Sequence, residues 1–277
     1  MKVPLPQIET PDASLRPFSK ARSGATTNKA DLAIEIHPDR ARMGAAAAAR
    51  ASLILRVAIA EKGSARIILA SSPSQNEFLA NLTCSPDIEW SRVTIFHMDE
   101  FVGMQSHDPS SFRKYQIEHV LMRIRPAAFH GLRGEDQDPF AECRRYSYHL
   151  SEAPIDLACV GIGENAHITF SDSPAANFED PRAIRVVQLD DRSRQQQVNN
   201  GCFPDIASVP AQAITLTYPT LMAARAVIGI VPGAHKARAV KAALEDPISP
   251  SCPATILRSH PNAALFLDED SAALPIS

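Results

Sequence analysis

No cysteine pair in this chain stands at CxxC spacing, and its cysteines, Cys84, Cys143, Cys159, Cys202 and Cys252, are odd in number. That speaks against both a disulfide framework and a zinc knuckle, and fits reduced thiols in a cytoplasmic protein. A basic stripe is missing as well. The net charge is -3 and the Lys and Arg residues are scattered, so neither nucleic acid nor an anionic membrane is expected as a partner, although a few placed cations would suffice for a small anionic substrate. No apolar run approaches bilayer-spanning length, and the N-terminus carries charge and proline where a signal peptide needs an apolar core. The expectation is a soluble, cytoplasmic protein. Neither an internal repeat nor a long linker interrupts the 277 residues, a length at the upper end of one α/β domain.

What the chain does contain is alternation. Residues 1–31, rich in Pro, Ser, Thr and basic residues, read as an N-terminal extension lying on the surface, and residues 32–277 as a single domain. Residues 32–37 (LAIEIH) read as an edge strand. Pro38-Asp39 starts a helix over 40–61, ended by Lys62-Gly63. Residues 66–70 (RIILA) form a strand, followed by Ser71-Ser72-Pro73-Ser74, where Ser74 and Glu77 have capping-box spacing for a helix. Strands are further expected at 93–96, 155–160, 184–189, 214–217, 226–231 and 263–267. Helices are expected at 111–122, 139–150, 218–224 and from 234 to 244. Strands alternating with helices imply a mostly parallel sheet covered on both faces.

Polar chemistry gathers where strands finish. After the buried run 155–160 come Gly161 and Gly163, then Glu164, Asn165, His167 and Asp172; after 93–96 come His97, Asp99 and Glu100; after 66–70 come Ser71, Ser72 and Ser74. In a parallel sheet these ends emerge on one side, at the place where open α/β sheets bind ligands. A carboxylate, an imidazole and a hydroxyl-rich helix N-terminus in one crevice suit proton transfers on a small phosphorylated molecule. Lys236, in a helix's first turn, sits at the positive end of the dipole, where a cation is unfavourable unless an anion is bound. Glu100 reads as a structural neighbour of Asp99. His97, His167 and Asp99 lack HxxxH-type spacing, so no metal is expected.

The segments FHMDEFVG (96–103), GIGENAHITFSDSP (161–174) and PGAHKARAV (232–240), in this order, resemble the glucosamine-6-phosphate deaminase/isomerase family, which shares a superfamily with 6-phosphogluconolactonases. The resemblance covers residue 32 to the C-terminus. It implies a doubly wound, Rossmann-like three-layer α/β sandwich and no metal or organic cofactor. It implies Asp99 as the base that moves a proton between C2 and C1, and His167 as the acid/base of ring opening. Asn165 and Asp172 fall on the carboxylates that orient the histidine, and Ser71, Ser72, Ser74, Gln75, Arg194 and Lys236 on groups binding the substrate and its phosphate. The partner implied is a small sugar phosphate. Relatives are variously monomeric and oligomeric, which leaves homo-oligomerisation open.

The chain departs from the family at three points. Asn165 replaces an aspartate and cannot stabilise an imidazolium by charge. Ala166 replaces a glycine, and its Cβ disfavours positive φ. The family's TGGTP phosphate turn is here SSPSQ, with no glycine and with Pro73 lacking an N–H. The activity expected is aldose–ketose isomerisation with deamination of an amino-sugar 6-phosphate. Hydrolysis of 6-phosphogluconolactone is the alternative, disfavoured because the chain continues from His167 as ITFSDSP rather than TASLFP. A non-catalytic sugar-phosphate-binding relative is a third reading, against which the presence of both Asp99 and His167 weighs.

Overall fold

The computed structural model of the chain describes residues 26–29, 32–170 and 176–275. Its elements in order are β1 (Thr26–Lys29), β2 (Leu32–His37), α1 (Arg40–Lys62), β3 (Ala65–Leu69), α2 (Asn76–Thr83), β4 (Val93–His97), β5 (Asp99–Phe101), α3 (Phe112–Gln116), β6 (Ala128–His130), α4 (Pro139–Ser151), β7 (Leu157–Val160), β8 (Ile184–Gln188), α5 (Asp191–Asn199), β9 (Gln212–Leu216), α6 (Tyr218–Met222), β10 (Ala226–Val231), α7 (Ala237–Glu245) and β11 (Ala263–Asp268). Eight strands form one sheet in the order β1-β2-β11-β10-β7-β3-β4-β6. All its pairings are parallel except that of β1 with β2. The fold is the expected α/β sandwich with a mostly parallel sheet.

Why the central strands sit in the middle is visible in their side chains. β3, β7 and β10 are buried at every position, as near-continuous apolar strands must be when both faces are covered. One face packs on α1 and α2 through residues such as Met43, Leu55, Ile67 and Phe78. The other packs on α4 and α7 through Tyr146, Leu150, Val240 and Leu244. Helix α1 begins and ends where its sequence dictates: the Asp39 side chain accepts from the Arg42 N–H at 2.8 Å, and Gly63 at φ 79 donates its N–H to Ile59 O. By length and composition α1 alone among the described helices could cross a membrane. Here it is a core helix, with nine residues buried against the sheet and α2.

Three further expectations need correction. The extension's residues 26–29 add an antiparallel edge strand to β2, so β2 is not the sheet's edge. Ser74 and Glu77 form no capping box: Ser74 lies inside a 3-10 turn, Pro73–Gln75, and the Glu77 carboxylate is taken by Arg40 at 2.9 Å. The helix expected over 111–122 is α3 followed by a π-helical turn, Ile117–Leu121. A second sheet, β5-β9-β8, is antiparallel. It closes a small aromatic core of Phe101, Phe112, Phe170 and Phe203.

Strand order places the site. From β3 the chain proceeds to β4 on one side, whereas from β7 it proceeds to β10 on the other, so the adjacent pair β3 and β7 is the topological switch point. The loops leaving its two carboxyl ends must part there, and the gap between them is a ready-made crevice.

Candidate active site

A cavity of about 470 Å³ opens over this switch point, within the range of small-molecule sites. Its lining comes from the loops after β3 (Ser71, Ser72, Ser74), β4 (Met98, Asp99), β7 (Gly161 to Glu164, His167) and β10 (Pro232, His235, Lys236), closed on one side by α5. All four loops leave the same end of the parallel sheet.

Asp99 and Glu100 are neighbours with different fates, because successive strand residues point to opposite faces. Asp99 starts β5, registers with Thr215 and lines the cavity. Glu100, fully buried, accepts from the N–H groups of Phe101, Phe112 and Arg113 and from the Ser111 hydroxyl at 2.7 Å. It caps the start of α3, and burial pushes its pKa up despite four hydrogen bonds that favour the charged form. His97 is also structural. Its Nε2 accepts from the Leu132 N–H at 3.3 Å, and burial, reinforced by Arg113 and Arg145, pulls its pKa down to about 3.

The loop after β7 is built around the His167 ring. A Cβ on Gly163 would lie 2.2 to 2.6 Å from three ring atoms, so the imidazole rests where only a glycine leaves room. The turn is closed by Gly163 N–H donating to His167 O at 2.8 Å and Ala166 N–H donating to Gly163 O at 2.9 Å. Ala166 pays for this with φ 62, the only positive φ at a non-glycine among the described residues. The Asn165 Oδ1 meets His167 Nδ1 in a short hydrogen bond. An amide oxygen can only accept, so in this contact Nδ1 is the donor. Asn165 does not itself line the cavity. Asp172 lies outside the described residues.

The SSPSQ turn is held by side chains rather than by glycine geometry. Ser72 and Ser74 hydroxyls share a hydrogen bond at 2.6 Å, Gln116 donates to the Ser71 hydroxyl at 2.9 Å, and Tyr115 donates to Ser72 O at 2.7 Å. Gln75 does not line the cavity. Buried behind the turn, its Nε2 donates to Ile230 O at 3.2 Å and ties the turn to β10. Lys236 is 7% exposed, and no described residue pairs with its ammonium. Burial lowers its pKa, with Glu164 pulling the other way.

Arg194 is not brought to the cavity. Its guanidinium donates to Ile206 O at 2.7 Å and Val209 O at 3.1 Å and pairs with Asp191, which fastens α5 to the turn that follows it. At about 100° per residue Arg194 faces away from the side of α5 that carries Gln196, Gln197, Asn199 and Asn200, and it is these amides that line the cavity. They went unnoticed in the sequence, although the run QQQVNN was there to be read. Arg40 and His235 were missed too. One group of potential metal donors occurs among the described residues, His130, His149 and Glu152. None of the three lines the cavity, and the imidazoles are stacked at 4.2 Å, a geometry that keeps one ion from lying in both ring planes.

An open parallel sheet with a polar, ligand-sized crevice at its switch point, presenting a carboxylate and an imidazole, defines an α/β enzyme. The family model for glucosamine-6-phosphate isomerases/6-phosphogluconolactonases matches residues 38–266, and the chain belongs to that family. It is 33% identical over 206 residues to the glucosamine-6-phosphate deaminase of Listeria monocytogenes serotype 4a (strain HCC23), covering 74% of this chain and 86% of that protein. The corresponding protein of Lactobacillus delbrueckii subsp. bulgaricus (strain ATCC BAA-365 / Lb-18) is 31% identical over 215 residues, 77% of this chain and 89% of the relative. Among solved structures, a monomeric glucosamine-6-phosphate deaminase superposes with TM-score 0.79 at 28% identity, covering 87% of this chain and 99% of that one. The 6-phosphogluconolactonase of Trypanosoma brucei, at TM-score 0.70 and 18% identity over 87% and 97% of the two chains, shares the fold.

Proposed function

We propose that the protein converts an amino-sugar 6-phosphate, glucosamine 6-phosphate first among candidates, and water into the ketose 6-phosphate and ammonia. The observation that carries this reading is the pairing, in one cavity, of a reactive pair with an anion grip: Asp99 and His167 line the same space as the buried Lys236, whose ammonium no described residue bonds, and the Ser71, Ser72 and Ser74 hydroxyls. Burying an ammonium is costly, and a ligand's negative charge would add to that of Glu164 in offsetting the cost.

In this reading His167 Nε2 takes the proton of the anomeric hydroxyl and returns it to the ring oxygen, opening the sugar. Ionised Asp99 then removes the C2 proton and delivers it to C1, which moves the carbon–nitrogen bond to the imine level at C2. Water adds to that carbon and ammonia leaves. Asn165 orients the ring without offering the charge a carboxylate would. The amides of α5 face the sugar. The protein acts in the cytoplasm on a small molecule, its five thiols free.

Supporting the amine-releasing reaction over lactone hydrolysis are the HMDEF and HITFSDSP segments and the named relatives above 30% identity. The test is an assay of ammonia and ketose formation from a panel of 2-amino-2-deoxyhexose 6-phosphates, with 6-phosphogluconolactone alongside. Stoichiometric ammonia and ketose 6-phosphate from one epimer is the expected result. Turnover of the lactone alone would replace this reading with the hydrolase.

A further inference from the structure

Arg40 opens α1 at the mouth of the cavity. Two of its nitrogens are fixed: Nε and Nη2 donate to the Glu77 carboxylate at 3.1 and 2.9 Å, and Nη2 also donates to Pro73 O at 2.9 Å. No described residue takes Nη1. The side chain is 39% exposed, so one edge of the guanidinium fork is anchored while the rest faces cavity and solvent. Nearby, burial lowers the pKa of His235, and the charges of Lys236 and Arg40 lower it further while Glu164 and Asp268 pull it up; Arg40, His235 and Lys236 all line the cavity.

A structural clasp between α1 and α2 would explain the Glu77 contact. It does not explain the bond to Pro73 O, which carries the charge onto the turn itself. That turn lacks what phosphate turns normally use. It has no glycine, Pro73 has no N–H, and the bond between the Ser72 and Ser74 hydroxyls uses one of their two protons, which leaves one to donate to a ligand. A side-chain cation with an N–H group still open, here Nη1, is the chemical substitute for missing backbone donors.

We propose that Arg40 is a second cation of the anion subsite, gripping the phosphate ester together with Lys236 and the serine hydroxyls in place of a glycine-turn backbone. The proposal rests on reading the cavity as a sugar-phosphate site, and binding rather than turnover separates the two. Calorimetric titration with an open-chain hexitol 6-phosphate, which has no carbonyl to react, is compared for the wild type, Arg40→Ala and Arg40→Lys, with the Tm of each. Loss of a charge-assisted contact raises Kd about 10- to 100-fold in Arg40→Ala. The expected accompaniments are an unchanged Tm and partial recovery of affinity in Arg40→Lys.

Affinity within twofold of wild type in Arg40→Ala overturns the proposal. So does weakening that comes with a lowered Tm and that Arg40→Lys does not relieve, since Arg40 would then only hold the turn. A wild type that binds no phosphate ester removes the sugar-phosphate reading itself, and Arg40's role falls with it.

Discussion

At the scale of single residues, the loop after β7 shows how one atom decides chemistry. The contact of Gly163 with the His167 ring involves the far end of a rotatable side chain, so a Cβ there displaces the ring more easily than it unfolds the protein. Gly163→Ala is therefore expected to cost under about 1 kcal/mol of stability while lowering kcat/KM by about 100-fold, the cost of misplacing a catalytic group by an ångström. Thermal melts and steady-state kinetics on the same preparation check it; a normal kcat/KM would show that the ring does not work from this position. Ala166 illustrates the opposite balance. Positive φ costs it about 1–2 kcal/mol. Its methyl is buried and recovers about 0.8 kcal/mol of that, which narrows the advantage a glycine would have. The sequence revealed that Ala166 breaks the family pattern, but the tolerance of that break lies in packing that no sequence pattern displays.

Among elements, the contact of α1 with α2 is set at Gly44. A Cβ there would sit 2.6 Å from Glu77 Cβ and 2.8 Å from the backbone of Glu77 and Phe78. Alanine is the better helix former by about 1 kcal/mol, yet backbone cannot step aside as a side-chain tip can. Overpacking, at about 1–3 kcal/mol, wins. Gly44→Ala is expected to lower stability by about 1 kcal/mol in a urea melt, and a stabilised variant would mean the two helices are not in contact at this point. The same clasp explains why Arg40 was invisible from sequence: its partners Pro73 and Glu77 are more than thirty positions away. Elements with long apolar or periodic runs, such as α1, β3, β7 and β10, were legible. The three-residue strand β5 was not, because three residues carry no period, and the small sheet it joins went unseen with it. Arg194 was misplaced for a related reason. A motif supplies position along the chain but not which face of α5 turns inward.

For the molecule as a whole, the switch point turns scattered motifs into a site: four loops from four strands meet because β3 and β7 are neighbours whose chains leave in opposite directions. Global stability carries a pH signature from the core beside it. His97 stays neutral in the fold down to about pH 3, whereas in the unfolded chain it takes up a proton near pH 6.5. Between those values the unfolded state binds the extra proton. Stability therefore falls as pH drops, by about 1.4 kcal/mol per pH unit from this one group. Urea unfolding from pH 7 to pH 4 should show that slope, reduced by one proton in His97→Gln; equal slopes in the two proteins would place the acid sensitivity elsewhere.

Asp99 offers the most direct test of the reaction assigned to the cavity. Asp99→Asn keeps the shape and removes the proton affinity, so it should bind a hexitol 6-phosphate within about threefold of wild type while losing at least about 1,000-fold in ammonia release from the amino-sugar phosphate, the upper range for one acid/base group. A fully active Asp99→Asn enzyme would contradict proton transfer by this carboxylate, and with it the assignment of isomerase chemistry to this site.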